Sequence, residues 1–295
     1  VNVFLTGASG YIGGSVAAAL RSAGHAVRGL VRSPKKAEQV RALGIEPVLG
    51  TLDDGRLLAD AVLASDAVVH AADADHRAAV DAMLAALAGS GKPFIHTSGS
   101  SIVGDQAWGE ATEKIYEDET PFVPGPGRAA RVAVNQRVLA AAGDGVRAVV
   151  ISPSLIYGSG RGAHRESIQV PRLTALAKKY GVARHVGRGE NCWANVHIDD
   201  LVDLYLRALD QAPAGASYYA ENGECAMRVL AEAISRALGY GGRTQGMSKD
   251  EAIAEFGAGP AAYTYGSNSR VRATRARREL GWAPRHDALL ESIAL

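Results

Sequence analysis

The sequence predicts a doubly wound α/β fold, in which helices cover both faces of a parallel sheet. Three observations predict it. Short apolar runs alternate with helical spacing through the first half of the chain. A glycine-rich turn, Thr6-Gly7-Ala8-Ser9-Gly10-Tyr11-Ile12-Gly13, separates the first apolar run from the first helical stretch. The runs also carry few polar positions, as strands covered on both faces do.

The elements follow in order. Residues 1–5 read as a strand that stops at Thr6-Gly7, and residues 11–23 as a helix ended by Gly24. Residues 26–31 form a second strand, 35–43 a short helix closed by Gly44, and 46–49 a third strand. A helix at 55–64 leads to a fourth strand at 67–70, and a helix at 77–88 to a fifth at 94–97. A loop rich in Gly, Pro and acids fills 99–126. A helix at 128–142 and a sixth strand at 146–152 complete the pattern. After Ser152 the rhythm changes to helical stretches at 170–180, 199–209, 227–238 and 249–256. The expected organisation is a Rossmann-type dinucleotide-binding domain at 1–152 and a smaller, mostly helical substrate lobe at 153–295. No Ser/Gly linker or charge run marks a hinge, so the two are not cleanly separate.

Composition narrows the function. Hydrophobic residues make up 47% of 295 residues, enough for a sizeable core. Thirty-two basic side chains stand against 31 acidic ones, so there is no bulk attraction for nucleic acid or an anionic membrane. Cys192 and Cys225 make neither a disulfide framework nor a metal spacing and read as reduced thiols. No apolar run reaches the roughly 18 residues a membrane span needs. The first residues lack the basic start of a signal peptide, and a cytoplasmic location is expected. No metal site is expected.

The glycine turn carries the chemistry. Gly7 allows the tight turn off the first strand. Gly10 lets the backbone approach a pyrophosphate, and Gly13 lets the helix pack close to the strand. The helix N-terminus then turns its free N–H groups and positive dipole end toward phosphate. The spacing is G-x-x-G-x-x-G rather than G-x-G-x-x-G, but its place between a first strand and a first helix predicts dinucleotide binding. An NAD-selective site carries an acid at the end of the second strand to hold the ribose 2′-hydroxyl. Here that end reads Val31-Arg32-Ser33-Pro34-Lys35-Lys36, cations without an acid. Arg32, with Lys36, suits a 2′-phosphate. NADP(H) is the expected cofactor, with NAD(H) as the alternative.

Later stretches add a resemblance. Val69-His70-Ala71-Ala72, Ser152-Pro153-Ser154-Leu155-Ile156-Tyr157-Gly158, Val196-His197-Ile198-Asp199-Asp200-Leu201 and Glu279-Leu280-Gly281-Trp282-Ala283-Pro284 follow the glycine turn in order. Together they resemble the short-chain dehydrogenase/reductase superfamily, in its extended, NAD(P)-dependent epimerase/dehydratase-like branch. The resemblance implies a cofactor site lined by Gly7, Ser9, Gly10, Tyr11, Ile12, Gly13, Arg32, Lys36, Leu52, Ala71, Ala72, Thr97, Arg131, Pro153 and Leu155. It also implies a small-molecule substrate between the sheet edge and the second lobe, and a homodimer through helices 77–88 and 128–142. His197 with its two aspartates reads as a helix start, with Asp199 or Asp200 as N-cap.

The same resemblance implies a Tyr-x-x-x-Lys pair and a Ser or Thr after the fifth strand. The chain departs from this. No Tyr-x-x-x-Lys occurs anywhere; aligning Arg131 with the lysine puts Gly127 at the tyrosine, and Gly99 falls at the serine position. Ser98, Ser100 and Tyr157 are the candidate catalytic residues that remain, with Arg161 and His164 in the loop that follows. Arg131 can bind a ribose but cannot act as a proton acid near neutral pH. Two readings follow. One is an atypical NADP(H)-dependent oxidoreductase, epimerase or dehydratase with a non-standard proton relay. The other is a non-catalytic NADP(H)-binding sensor or regulator. Five arginines between 270 and 278 raise a third, nucleic acid, which the even charge balance opposes in favour of a solvated helix face.

Overall fold

The computed structural model describes residues 1–293. Strands β1 (Asn2–Thr6), β2 (Ala26–Val31), β3 (Glu46–Leu49), β4 (Ala67–His70) and β5 (Pro93–Thr97) alternate with helices α1 (Tyr11–Ser22), α2 (Pro34–Arg41), α3 (Gly55–Leu63) and α4 (Arg77–Leu87). A short strand β6 (Tyr116–Glu117), helix α5 (Ala129–Ala140) and strand β7 (Arg147–Pro153) follow. The remainder comprises β8 (Leu155–Tyr157), α6 (Gln169–Tyr180), β9 (Ala183–Val186), β10 (Cys192–His197), α7 (Ile198–Gln211), β11 (Ala216–Ala220), β12 (Glu224–Ala226), α8 (Met227–Ala237), β13 (Thr244–Met247), α9 (Lys249–Phe256), β14 (Val271–Arg272) and a closing helix, Thr274–Leu280.

Seven parallel strands form the main sheet in the order β11-β7-β5-β4-β1-β2-β3. The winding direction reverses between β1 and β4, and in such sheets the crevice beyond the strand ends at that reversal is where ligands sit. Alternation along β1 builds both faces. Val3 and Leu5 join the apolar cluster of α1, α2 and α7, while Phe4 joins that of α3, α4 and α5. A third cluster fills the space among β8, β9, β10, α6, α8 and α9.

The boundary expected at 152/153 does not match the way the sheet is shared. The chain leaves after β7 but returns with α7 and β11, and β11 pairs in register with β7 from Ala216↔Val149 to Ala220↔Pro153. The second half is also less helical than expected. It contributes a three-stranded sheet β12-β10-β8 and the pair β13-β9, and β14 pairs with β6.

Two anchors fix this return. The Arg147 guanidinium donates to the carbonyls of Ala208, Leu209 and Ala212 at the C-terminal end of α7, where a cation meets unpaired carbonyls and the negative dipole end. At the other end of α7 the buried Asp200 carboxylate accepts from the main-chain N–H groups of Arg285 and His286, and its carbonyl accepts from the Trp282 indole. The N-cap of α7 is His197 itself, whose Nδ1 accepts from Asp199 N at 3.2 Å; Asp199 and Asp200 occupy the first turn instead.

The five clustered arginines are not a solvated face. Arg270 and Arg272 converge on Glu224, Arg277 pairs with the buried Glu221, Arg275 with Glu279, and Arg278 with Glu119 and Glu279. Arg270, Arg272 and Arg277 thereby fasten the C-terminal segment to the residues around β12, whereas Arg275 pairs within its own helix and Arg278 stays mostly exposed. Among the described residues no helix is long and apolar enough to cross a membrane.

Candidate cofactor and substrate cleft

A cleft of about 670 Å³ opens at the C-terminal edge of the sheet, over the β1/β4 reversal. It is walled by Gly10, Tyr11, Ile12 and Gly13, by Ala71, Ala72 and Arg131, and by Ser98–Ser101 and the segment around Pro260 and Thr264.

The glycine turn is built as close packing requires. Gly7 has φ +78° and its carbonyl accepts from Gly10 N at 2.8 Å. A Cβ on Gly7 would fall 2.5 Å from the Ala71 carbonyl oxygen, and one on Gly13 would overlap the Gly7 carbonyl. A Cβ on Gly10 meets only the Gly7 oxygen, at 3.2 Å, so what restricts that position is the space in front of α1 and not the fold. Helix α1 has no side-chain cap and no acid in its first turn, which leaves its N-terminal donors and dipole for an anion. Tyr11 is turned inward. Its hydroxyl donates to the carbonyls of Tyr157 and Gly158 at 3.1 and 2.7 Å, and burial raises its pKa.

Beneath the cleft lies a stack of two buried imidazoles, His70 and His96, with ring centres 5.4 Å apart. His70 Nε2 faces the Asp73 carbonyl at 3.0 Å, and since a carbonyl only accepts, Nε2 carries the proton. Nδ1 therefore accepts from the Thr6 hydroxyl at 2.7 Å, and Thr6 Oγ1 accepts from Ala71 N at 3.2 Å. This chain ties the ends of β1 and β4 together. Burial pushes His70 down to about 4 and His96 to about 3, so both are neutral.

The candidate residues divide cleanly. Gly10, Tyr11, Ile12, Gly13, Ala71, Ala72, Ser98, Ser100, Arg131 and Pro153 line the cleft. Ser98 Oγ accepts from Asn135 Nδ2 at 2.8 Å, which leaves its own proton free to donate. Arg131 binds Asp75 through Nε and Nη2, and Nη1 remains near Gly99. Ser9 is half-buried in the turn, Arg32 is exposed at the end of β2, Lys36 is half-buried in the first turn of α2 and Leu52 half-buried after β3; none of these four walls the cleft.

Three candidates are corrected. The Thr97 hydroxyl is committed to Tyr205 at 2.6 Å, so it is not free for a ligand. Ser100 Oγ, by contrast, accepts from the Ser269 hydroxyl at 2.7 Å and keeps its own proton. Tyr157 and Leu155 lie on the opposite side of β8 from Ile156, which is the residue that faces the cleft. The Tyr157 hydroxyl donates to the His286 carbonyl at 3.0 Å, and burial pushes its pKa up to about 12. Arg161 pairs with Asp199, while His164 does line the cleft. Sequence reasoning missed Arg128, Ile156 and Trp193 as cleft residues. Arg128 gave no signal beyond opening a helix, yet its Nε is buried with no hydrogen-bond partner among the described residues. Burial, and next the neighbouring Arg131, lower its pKa.

Comparison with known proteins agrees with this architecture. The model of the NAD dependent epimerase/dehydratase family matches residues 3–220. The chain is 34% identical to oxidase ucsJ of an Acremonium species, over 99% of this chain and 95% of that protein. It is 30% identical to the 4-hydroxy-2-methyl-3-oxo-4-farnesyl-3,4-dihydroquinoline-1-oxide ketoreductase of Stigmatella aurantiaca, over 76% of this chain and 69% of the relative. The solved dTDP-glucose 4,6-dehydratase of Bacillus anthracis, in complex with NAD, superposes with a TM-score of 0.78 at 16% identity, covering 100% of this chain and 95% of that one.

Proposed function

We propose that this chain, which belongs to the NAD dependent epimerase/dehydratase family, is an NADP(H)-dependent oxidoreductase acting on a small carbonyl or alcohol substrate through a non-standard active site. The observation that carries the reading is the fit of the cleft to a dinucleotide. Gly10 lines it and leaves room for close approach, the uncapped N-terminus of α1 faces it, and Arg131 stands in its wall. Relatives named as a ketoreductase and an oxidase, and a structural neighbour solved with NAD, support the same cofactor class and reaction type.

The roles follow from position. The amides at the start of α1 hold the diphosphate. Arg32, exposed at the end of β2 where no acid stands, takes the 2′-phosphate. Arg131 takes the ribose beside the nicotinamide, its orientation fixed by Asp75. Bound in this way, the cofactor would supply or accept hydride. Ser98, with its acceptor site filled by Asn135, donates toward the substrate oxygen. Titration with NADPH and NADH, followed by assay against 3-oxoacids, ketones, aldehydes and nucleotide sugars, tests the reading. Tight NADPH binding with turnover of a carbonyl is the expected result, and failure to bind either nucleotide would overturn it.

A further inference from the structure

A carbonyl that accepts hydride becomes an alkoxide and needs a proton. Arg131 stays charged and Tyr157 points away. The hydroxyls of Ser98 and Ser100 keep their protons, but as alcohols they are no more acidic than the product alcohol, so they hold the substrate oxygen by a hydrogen bond and are poor proton sources. The turn Ala261–Tyr265 holds a phenol that no motif singles out. The ring of Tyr263 fills the space that a side chain at Gly127 would take: a Cβ there would fall 2.5 Å from Tyr263 Cε2 and 3.0 Å from Cζ. Gly125 and Gly104 border the same ring, and a Cβ on either would sit 2.8 and 3.3 Å from it. Three glycines thus form a slot for one aromatic side chain.

The surroundings of the hydroxyl are those of a proton donor. Two N–H groups donate to the Tyr263 oxygen, the Gln106 side-chain amide and the Gly127 main chain, the latter at 3.0 Å. No protein acceptor among the described residues takes its proton. The Arg128 guanidinium lies 4.9 Å from the ring centre. Both N–H groups would still face the oxygen once the proton has left. Gln106 is held at φ +54°, one of two non-glycine residues with positive φ among the described residues. Such backbone strain collects at functional sites, and here it places the amide against the phenol. Arg128 and Thr264, the chain neighbours of Gly127 and Tyr263, both line the cleft, and the Tyr263 ring lies buried behind that wall.

We propose that Tyr263 is the proton donor of this protein, a phenol delivered from the C-terminal half into the slot left by Gly127. The inference rests on the reading of the cleft as a nicotinamide site. As the carbonyl carbon takes up hydride from the reduced dinucleotide, the π electron pair of the carbonyl moves onto oxygen. The Tyr263 O–H bond breaks and its proton goes to that oxygen, giving the alcohol. Water returns a proton to the phenolate.

The test uses the full chain, with Tyr263→Phe and Gln106→Met. NADPH affinity and Tm are measured first. Turnover is then read with the carbonyl that the wild type reduces fastest. In Tyr263→Phe, kcat is expected to fall by about 10²- to 10⁴-fold with NADPH affinity unchanged. Gln106→Met leaves the ring seated and removes one N–H from the phenol oxygen, and its kcat falls at least about tenfold. A second readout needs no turnover. In protein carrying [¹³Cζ]tyrosine and NADP⁺, adding the ketone should shift the resonance that Tyr263→Phe deletes. Wild-type kcat in either variant overturns the inference, as does a resonance that ignores the ketone. A wild type that binds NADPH but reduces no carbonyl also overturns it, while the nucleotide site stands. If neither nucleotide binds, both readings fall.

Discussion

Arg131 grips Asp75 with two parallel hydrogen bonds, Nε to Oδ1 and Nη2 to Oδ2, and so joins α5 to the loop that follows β4 at the wall of the cleft. The guanidinium holds the Asp75 carboxyl below the usual carboxylate range. The pair also fixes which face of Arg131 a ligand meets. Arg131→Met is expected to weaken NADPH binding roughly 10- to 100-fold, the worth of a charge-assisted hydrogen bond. The Asp75 side chain is half exposed, so Tm should change little. Fluorescence titration checks this, and an unchanged affinity would remove Arg131 from the nucleotide site.

Gly10 and Gly13 separate binding from folding. A side chain at Gly13 collides with the Gly7 carbonyl, whereas a Cβ at Gly10 meets only the Gly7 oxygen at 3.2 Å, a contact that a small shift relieves. Gly13→Ala should cost about 1–3 kcal/mol of stability as an overpacked contact. Gly10→Val should fold normally but lose at least about tenfold in NADPH affinity, because phosphate can no longer reach the main-chain amides. Denaturant melts and nucleotide titrations on the two variants should therefore give opposite patterns.

Arg32 tests cofactor choice. It is exposed, and replacing it should move stability by no more than about 0.5 kcal/mol. Arg32→Asp is expected to weaken NADPH binding by about tenfold or more while sparing NADH. Equal losses for the two nucleotides would contradict a 2′-phosphate contact.

The imidazole stack sets an acid limit. The folded protein keeps His70 and His96 neutral down to about 4 and about 3, whereas in the unfolded chain histidines protonate near 6.5. Between those values the unfolded state binds more protons, so stability is full above about pH 6.5 and declines as pH falls toward 4 and 3. Neither nitrogen of His96 has a partner among the described residues. His96→Phe keeps an aromatic ring in the stack and removes that titration. Its acid-unfolding midpoint, followed by circular dichroism, should move to lower pH with little change at pH 7.

Local pattern exposed most of the sheet and the glycine turn. The expected strands at 26–31, 46–49 and 67–70 coincide with β2, β3 and β4 because an apolar run bounded by Gly or polar turns is a local property. β11 was not expected, since Ala-Ser-Tyr-Tyr-Ala is short and its partnership with β7 depends on residues far away in sequence. Tyr157 was misplaced for a related reason. Within a strand, one step in register reverses the face, and sequence alone does not say whether residue 156 or 157 looks into the cleft. The glycines at 104, 125 and 127 looked like loop punctuation; only folding shows that they border one ring.

The return of β11 to the sheet bears on how this protein is dissected. A fragment ending at residue 152 would retain the whole glycine turn yet leave the outer edge of β7, a nearly all-buried strand, with its hydrogen-bonding groups bare. Exposed apolar edges of that kind recruit other chains. Expression of the nucleotide-binding half alone should yield aggregates, and the shortest soluble piece worth making must extend through Ala220.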